Sequence, residues 1–118
     1  MATNAMLNIK ISKNKYFSSY LHNDGGIIAF DILQEHYGTY EKALALIAHG
    51  DASVLRKKLS PDTSSEHNFN NSQKDTCVFY NRDREEPWDR VKFQITVEPI
   101  TDSCYNYLFE DDEWKRIG

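Results

Sequence analysis

Catalysis or metal binding in this chain would have to be built from four imidazoles, two thiols and one dense stretch of charge. His22, His36, His49 and His67 include no pair spaced His-x-x-x-His or His-Glu-x-x-His, the spacings by which one helix offers two ligands to one metal. No metal is expected. His36 falls near the middle of an apolar helical face, which predicts a mostly buried, hydrogen-bonded core histidine, not a base. Cys77 and Cys104 lack CxxC spacing and sit in Cys77-Val78-Phe79-Tyr80 and Cys104-Tyr105-Asn106-Tyr107, so both are expected to be reduced, buried thiols. No G-x-S-x-G elbow supports a serine nucleophile, and Asn23-Asp24-Gly25-Gly26 lacks the Lys-Ser/Thr of a phosphate loop. The expectation is a protein that is not an enzyme and carries no cofactor.

Two charged stretches are candidates for recognition. Arg82-Asp83-Arg84-Glu85-Glu86 follows a strand, and arginine forks suit carboxylates and phosphates. With Tyr80 and His22 beside Arg82 and Arg84, a small-molecule or nucleotide site without catalysis is one reading. A solvated turn with weak ion pairs is the plainer one. Glu110-Asp111-Asp112-Glu113 lacks calcium-loop spacing and reads as a hairpin turn. Asp111, Asp112, Glu113 and Trp114 could form an acidic, aromatic-anchored partner-binding knob. The alternative is that Trp114 packs on the sheet while the acids solubilise its edge.

The elements that would position these residues follow from hydrophobic period. Leu7-Asn8-Ile9-Lys10-Ile11 alternates as a strand, and Tyr16 to His22 can return antiparallel. From Ile27 to Tyr37 the period becomes helical, with Asp31, Gln34 and Glu35 on one narrow side and apolar residues around the rest. Gly38 stops that helix, Thr39 caps a second over 40–49, and Gly50 ends it. Asp51 is placed to cap a short third helix ending in Arg56-Lys57-Lys58. Residues 60–75 are almost wholly polar and predict a mobile loop, the first internal segment a protease would cut. Thr76 to Tyr80 resumes strand character, Val91 to Val97 shows the clearest alternation in the chain, and 105–117 reads as a terminal hairpin.

Strands on both sides of a helical insert, without βαβ alternation, predict an α+β domain spanning 1–118. The expected form is an antiparallel sheet of four to five strands, with two helices and a short third packed on one face. The charge of −4 is uneven: residues 1–60 carry seven Lys/Arg against five Asp/Glu, and residues 61–118 seven against thirteen. That imbalance argues against direct nucleic-acid binding, which draws on basic patches. No apolar run reaches membrane-spanning length and no signal-peptide pattern opens the chain.

Three stretches together resemble a group of small accessory proteins of tailed bacteriophages and prophages. They are Tyr20-Leu21-His22-Asn23-Asp24-Gly25-Gly26 (around H-x-D-G), Leu33-Gln34-Glu35-His36-Tyr37 (L-x-E-H-Y) with Leu46-Ile47-Ala48-His49-Gly50-Asp51-Ala52-Ser53 (L-I-x-x-G-D-x-S), and His67-Asn68-Phe69 with Phe79-Tyr80-Asn81-Arg82-Asp83-Arg84-Glu85 (around Y-x-R-D-R-x-E). The order and spacing are similar over roughly residues 16–86. The group often has Tyr-Pro after the D-G turn where this chain has Gly26-Ile27, so any contact of that aromatic does not carry over. No activity is established for the group, and no catalytic residue transfers. The resemblance implies an accessory role in the bacterial cytoplasm. Its partner would be a bacterial host or immune-system protein, such as a CRISPR effector, that is inhibited or redirected.

Overall fold

A computed structural model describes residues 3–118 and shows an α+β fold built on one mixed sheet. In chain order the elements are β1 (Ala5–Ser12), β2 (Lys15–Asn23), α1 (Ile27–His36), α2 (Tyr40–Ala48), β3 (Ala52–Val54), β4 (Val78–Phe79), α3 (Tyr80–Arg84), α4 (Trp88–Val91), β5 (Gln94–Thr96), β6 (Tyr105–Glu110) and β7 (Glu113–Arg116). The strand order is β4-β3-β2-β1-β6-β7, with β5 pairing beside the first half of β2.

The sheet is not the antiparallel sheet of four to five strands expected from the sequence. Among the described residues it has seven strands, and β1 runs parallel to β6 while β2 runs parallel to β3. The second pairing arises because α1 and α2 form a crossover. A strand that returns through helices re-enters its sheet parallel. The expected third helix does not form: Ala52–Val54 is β3, paired with β2 through Leu21↔Ala52. Asp51 caps no helix. Its Oδ1 accepts the Tyr20 N–H at 2.9 Å, and its own N–H donates to Val91 O at 2.7 Å.

Local chemistry explains the helix ends. Thr39 Oγ1 accepts the Lys42 N–H at 3.2 Å, the N-cap anticipated from its position. Gly50 follows α2 with φ of +81°, and a Cβ there would lie 2.3 Å from Val91 O, so only glycine fits.

One sheet face carries α1 and α2. Ala5, Leu7 and Ile9 of β1 meet Leu21, Leu33, Leu46, Ile47, Phe79, Phe109 and Trp114 in the main core. Strand alternation would send Met6 and Asn8 to the opposite face, yet both are also buried. Residues 97–104 cover them as a strap pinned by two asparagines. Asn8 Oδ1 accepts the Ile100 N–H at 2.9 Å and its Nδ2 donates to Ile100 O at 3.1 Å. Asn106 brackets Ser103 the same way, at 3.2 and 3.1 Å.

Two further expectations change. Val91–Val97, the clearest alternation, yields only the three-residue β5, because Val91 closes α4 and the chain bends at Val97 and Glu98. Cys77 is buried as expected, but Cys104 is exposed. The 60–75 loop carries its own polar order: Gln73 bonds Asp62 in both directions at 2.8 Å, and Asn68 Oδ1 accepts the N–H groups of Asn70 and Asn71.

Two predictions follow from this packing. Asn8→Ala leaves the half-buried Ile100 peptide and the buried Ser18 hydroxyl without these partners, and should cost roughly 2–3 kcal/mol in denaturant melts. Amide exchange at Ile100 should quicken first. Burial pushes the Tyr107 phenol up to about 12, and the hydroxyl donates to Gly25 O at 2.8 Å and Gly26 O at 2.9 Å. The unfolded phenol ionises near pH ~10, so its stabilisation is complete below that pH and is lost as pH climbs towards 12. Thermal melts between these limits should fall less steeply in Tyr107→Phe than in the parent chain.

Candidate functional site

Of the four residues singled out for a ligand site, two meet. His22 on β2 and Tyr80, which opens α3 just after β4, come together, and His22 Nδ1 lies 2.7 Å from Tyr80 Oη. Burial raises the Tyr80 phenol's pKa, so the hydroxyl keeps its proton beside the imidazole. Tyr20 lies 5.9 Å from the His22 ring and Phe69 5.7 Å from Tyr80, which extends the pair into a short aromatic row.

Arg82 and Arg84 do not form a fork. The segment after β4 coils into α3, and residues two apart on a helix point to different sides. Arg82 turns inward: Nε donates to Asp83 Oδ1 at 2.9 Å, an Nη to Leu59 O at 2.7 Å and the other to Cys77 O at 2.9 Å. Its donors are consumed by the fold. Arg84 lies 4.6 Å above the Phe69 ring, with Glu86 4.0 Å away.

Asp83 and His67 make a buried polar knot beneath this turn. Asp83 Oδ2 accepts the Phe79 N–H at 2.8 Å and lies 3.4 Å from His67 Nε2. His67 Nδ1 accepts the Gln73 N–H at 2.9 Å, so the neutral ring carries its proton on Nε2, towards the carboxylate. The knot fastens the 60–75 loop to α3 and is a structural device.

The acidic hairpin has the predicted form, with β6 and β7 joined by Asp111 and Asp112, both at positive φ of 53° and 62°. Asp111, Asp112 and Glu113 are exposed, but Lys115 Nζ sits 3.4 Å from Asp111 and 3.9 Å from Glu113. Trp114 is 3 % exposed and donates from Nε1 to Tyr37 O at 2.8 Å. The aromatic half of the proposed knob is therefore core, not anchor.

His36 also departs from expectation. Its side chain is 34 % exposed in a cleft of about 410 Å³ with Glu35, Glu41, Lys42 and Lys57, and Nε2 lies 3.7 Å from Glu35. The wheel angle matches buried Ala29, but an angle says nothing of position along the axis, and His36 occupies the last turn. The cleft lining contains no serine, threonine or cysteine, and Tyr37 Oη is engaged with Arg56 O at 2.8 Å.

The feature the sequence reading missed is apolar. Ile27 and Ile28 open α1 and are 67 % and 74 % exposed, while only Ala29 and Leu33 of this helix are fully buried. With Ile32, Val54, Leu55 and Tyr105 they line a groove of about 530 Å³, rimmed by Asp24 and Arg56. The signal was present in the unusually wide apolar arc of the helix, wider than one sheet face can cover.

No protein-family model, curated protein or solved structure matches the chain. The fold and site thus define a class only: a mixed-sheet α+β domain with two exposed isoleucines on a groove of mixed polarity at a helix start. Among the described residues no group of three or more His, Cys, Asp or Glu is placed to hold a metal, and no helix is long and apolar enough to cross a membrane.

Asp83→Ala would leave the Phe79 N–H without its acceptor and the Arg82 guanidinium without its counter-charge, at a cost of about 3 kcal/mol. Limited proteolysis should then cut within 60–75 well before the parent chain is cut.

Proposed function

We propose that this chain is a small phage or prophage accessory protein that works by binding in the bacterial cytoplasm, inhibiting or redirecting a host or immune-system protein such as a CRISPR effector. The observation that carries the binding reading is the surplus apolar surface of α1. Leaving an isoleucine in water forgoes about 1.5–3 kcal/mol of burial, and α1 leaves two side by side. Contiguous exposed apolar surface with a polar rim is the usual composition of a protein contact. The resemblance in the H-x-D-G, L-x-E-H-Y and Y-x-R-D-R-x-E stretches supports the phage assignment. The acidic residues Asp111, Asp112 and Glu113 are then a secondary, steering contribution, since their neighbouring tryptophan is occupied.

A small-molecule or nucleotide site is the second reading, favoured by the His22–Tyr80 hydrogen bond and the aromatic row. It must do without Arg82, whose donors serve the fold.

Ile28→Glu separates binding at the groove from binding elsewhere. The first turn of α1 has no acidic residue, so a glutamate there complements the helix dipole and preserves the fold. Affinity capture from expressing bacteria, quantified by mass spectrometry, should recover a partner with the parent chain and at least about tenfold less with Ile28→Glu. Equal recovery by Ile28→Glu, with loss on reversing Asp111, Asp112 and Glu113, would instead place the interface at the hairpin.

A further inference from the structure

The segment with the clearest strand pattern forms a strand of only three residues. Lys92-Phe93-Gln94-Ile95-Thr96-Val97-Glu98 alternates throughout, yet only Gln94–Thr96 enters the sheet, and among the described residues β5 pairs with β2 alone. Its other edge is free. Natural edge strands are blunted by shortness, by charge, by proline or by a bulge, and of these β5 has only its shortness. Gln94, Ile95 and Thr96 carry no charge and no proline, and Ile95 and Val97 are 63 % and 71 % exposed.

The patch continues past the strand. Phe93 packs on Phe17 at 4.7 Å and on Trp88 at 6.0 Å, and Trp88 is itself among the exposed large apolar residues. All of this lies on or beside the sheet face that Ile95 shares with its partner Phe17.

The segment is self-complementary about Ile95. Laid antiparallel against its own copy, it brings Gln94 opposite Thr96, Phe93 opposite Val97 and Lys92 opposite Glu98, each pair twice by symmetry. A one-residue slip would set Lys92 against Val97 and lose both charge pairs. We propose that a second copy of this chain pairs antiparallel with the free edge of β5, across a two-fold axis at Ile95. The chain bends at Val97 and Glu98, where Thr96 Oγ1 donates to Glu98 O at 2.7 Å. Ladder bonds are therefore confined to 94–96, and Lys92 and Glu98 meet through their side chains. So short a ladder makes a weak dimer, governed by concentration.

Sedimentation equilibrium up to roughly 1 mM, the range in which small interfaces assemble, should show a monomer–dimer equilibrium. Ile95→Asp, checked for fold by circular dichroism, should weaken it by at least about tenfold. Lys92→Glu and Glu98→Lys should each weaken the homodimer several-fold, on the order of three- to tenfold, by setting like charges opposite at both ends. An equimolar mixture of those two variants should dimerise like the parent, because both pairs are again opposite in sign. A parent chain that stays monomeric throughout overturns the proposal. So does a dimer indifferent to Ile95→Asp, or a mixture that dimerises no better than its components.

Discussion

The buried amide of Asn8 is the interaction on which the sheet's arrangement rests. It lies fully buried on β1, whose neighbours are β2 on one side and β6 on the other, and it bonds to groups from both. The Ser18 hydroxyl of β2 donates to its Oδ1, and its Nδ2 donates to Tyr107 O of β6 at 3.0 Å. The same amide holds the Ile100 peptide of the strap in both directions. A parallel neighbour needs a crossover. The strap is the last part of the chain's route from β5 into β6, and Asn8 binds it across the sheet face before β6 enters beside β1. An unsatisfied buried amide would cost more than any one of these bonds contributes, so the four act as a unit.

That residue also explains where the sequence was legible and where it was not. Leu7, Ile9 and Ile11 announced a strand, and β1, β2, α1, α2 and the terminal hairpin lie within a few residues of their expected places. Local period and caps determine such elements. Asn8 looked like a solvent-facing position in a half-buried strand because polarity was its only visible property; the strap that buries it lies about ninety residues away. The parallel pairings were hidden for the same reason. Ala52–Val54 followed a glycine stop and preceded a basic run, which suits a helix start and end, and pairing with Leu21 overrode that local preference.

The candidate site was legible in composition but not in arrangement. His22 and Tyr80 meet, whereas Arg82 and Arg84 diverge because the segment after β4 is a helical turn that points them to different sides. Trp114 was legible as aromatic beside acids, and its burial follows from a carbonyl on α1's C-cap, Tyr37, that needed a donor. The groove at Ile27 and Ile28 could have been found by asking how much of the apolar arc one sheet can cover. Two fully buried residues in a ten-residue helix is the answer, and the remaining apolar surface is what the fold leaves available.

The two apolar surfaces that the fold leaves open lie at opposite ends of β2. β5 pairs with Tyr16 to Ser18 near its start, and the groove adjoins Asp24 and Gly26 just past its end. A nine-residue strand spans roughly 30 Å at about 3.3 Å per residue, several side-chain lengths. Substitutions at Ile28 and Ile95 therefore share no partner and should act additively on stability and on binding. Self-association through β5 would also leave the groove of each copy open. A dimer would then present two grooves at once, and a partner with two matching sites would be held more tightly than either groove alone allows.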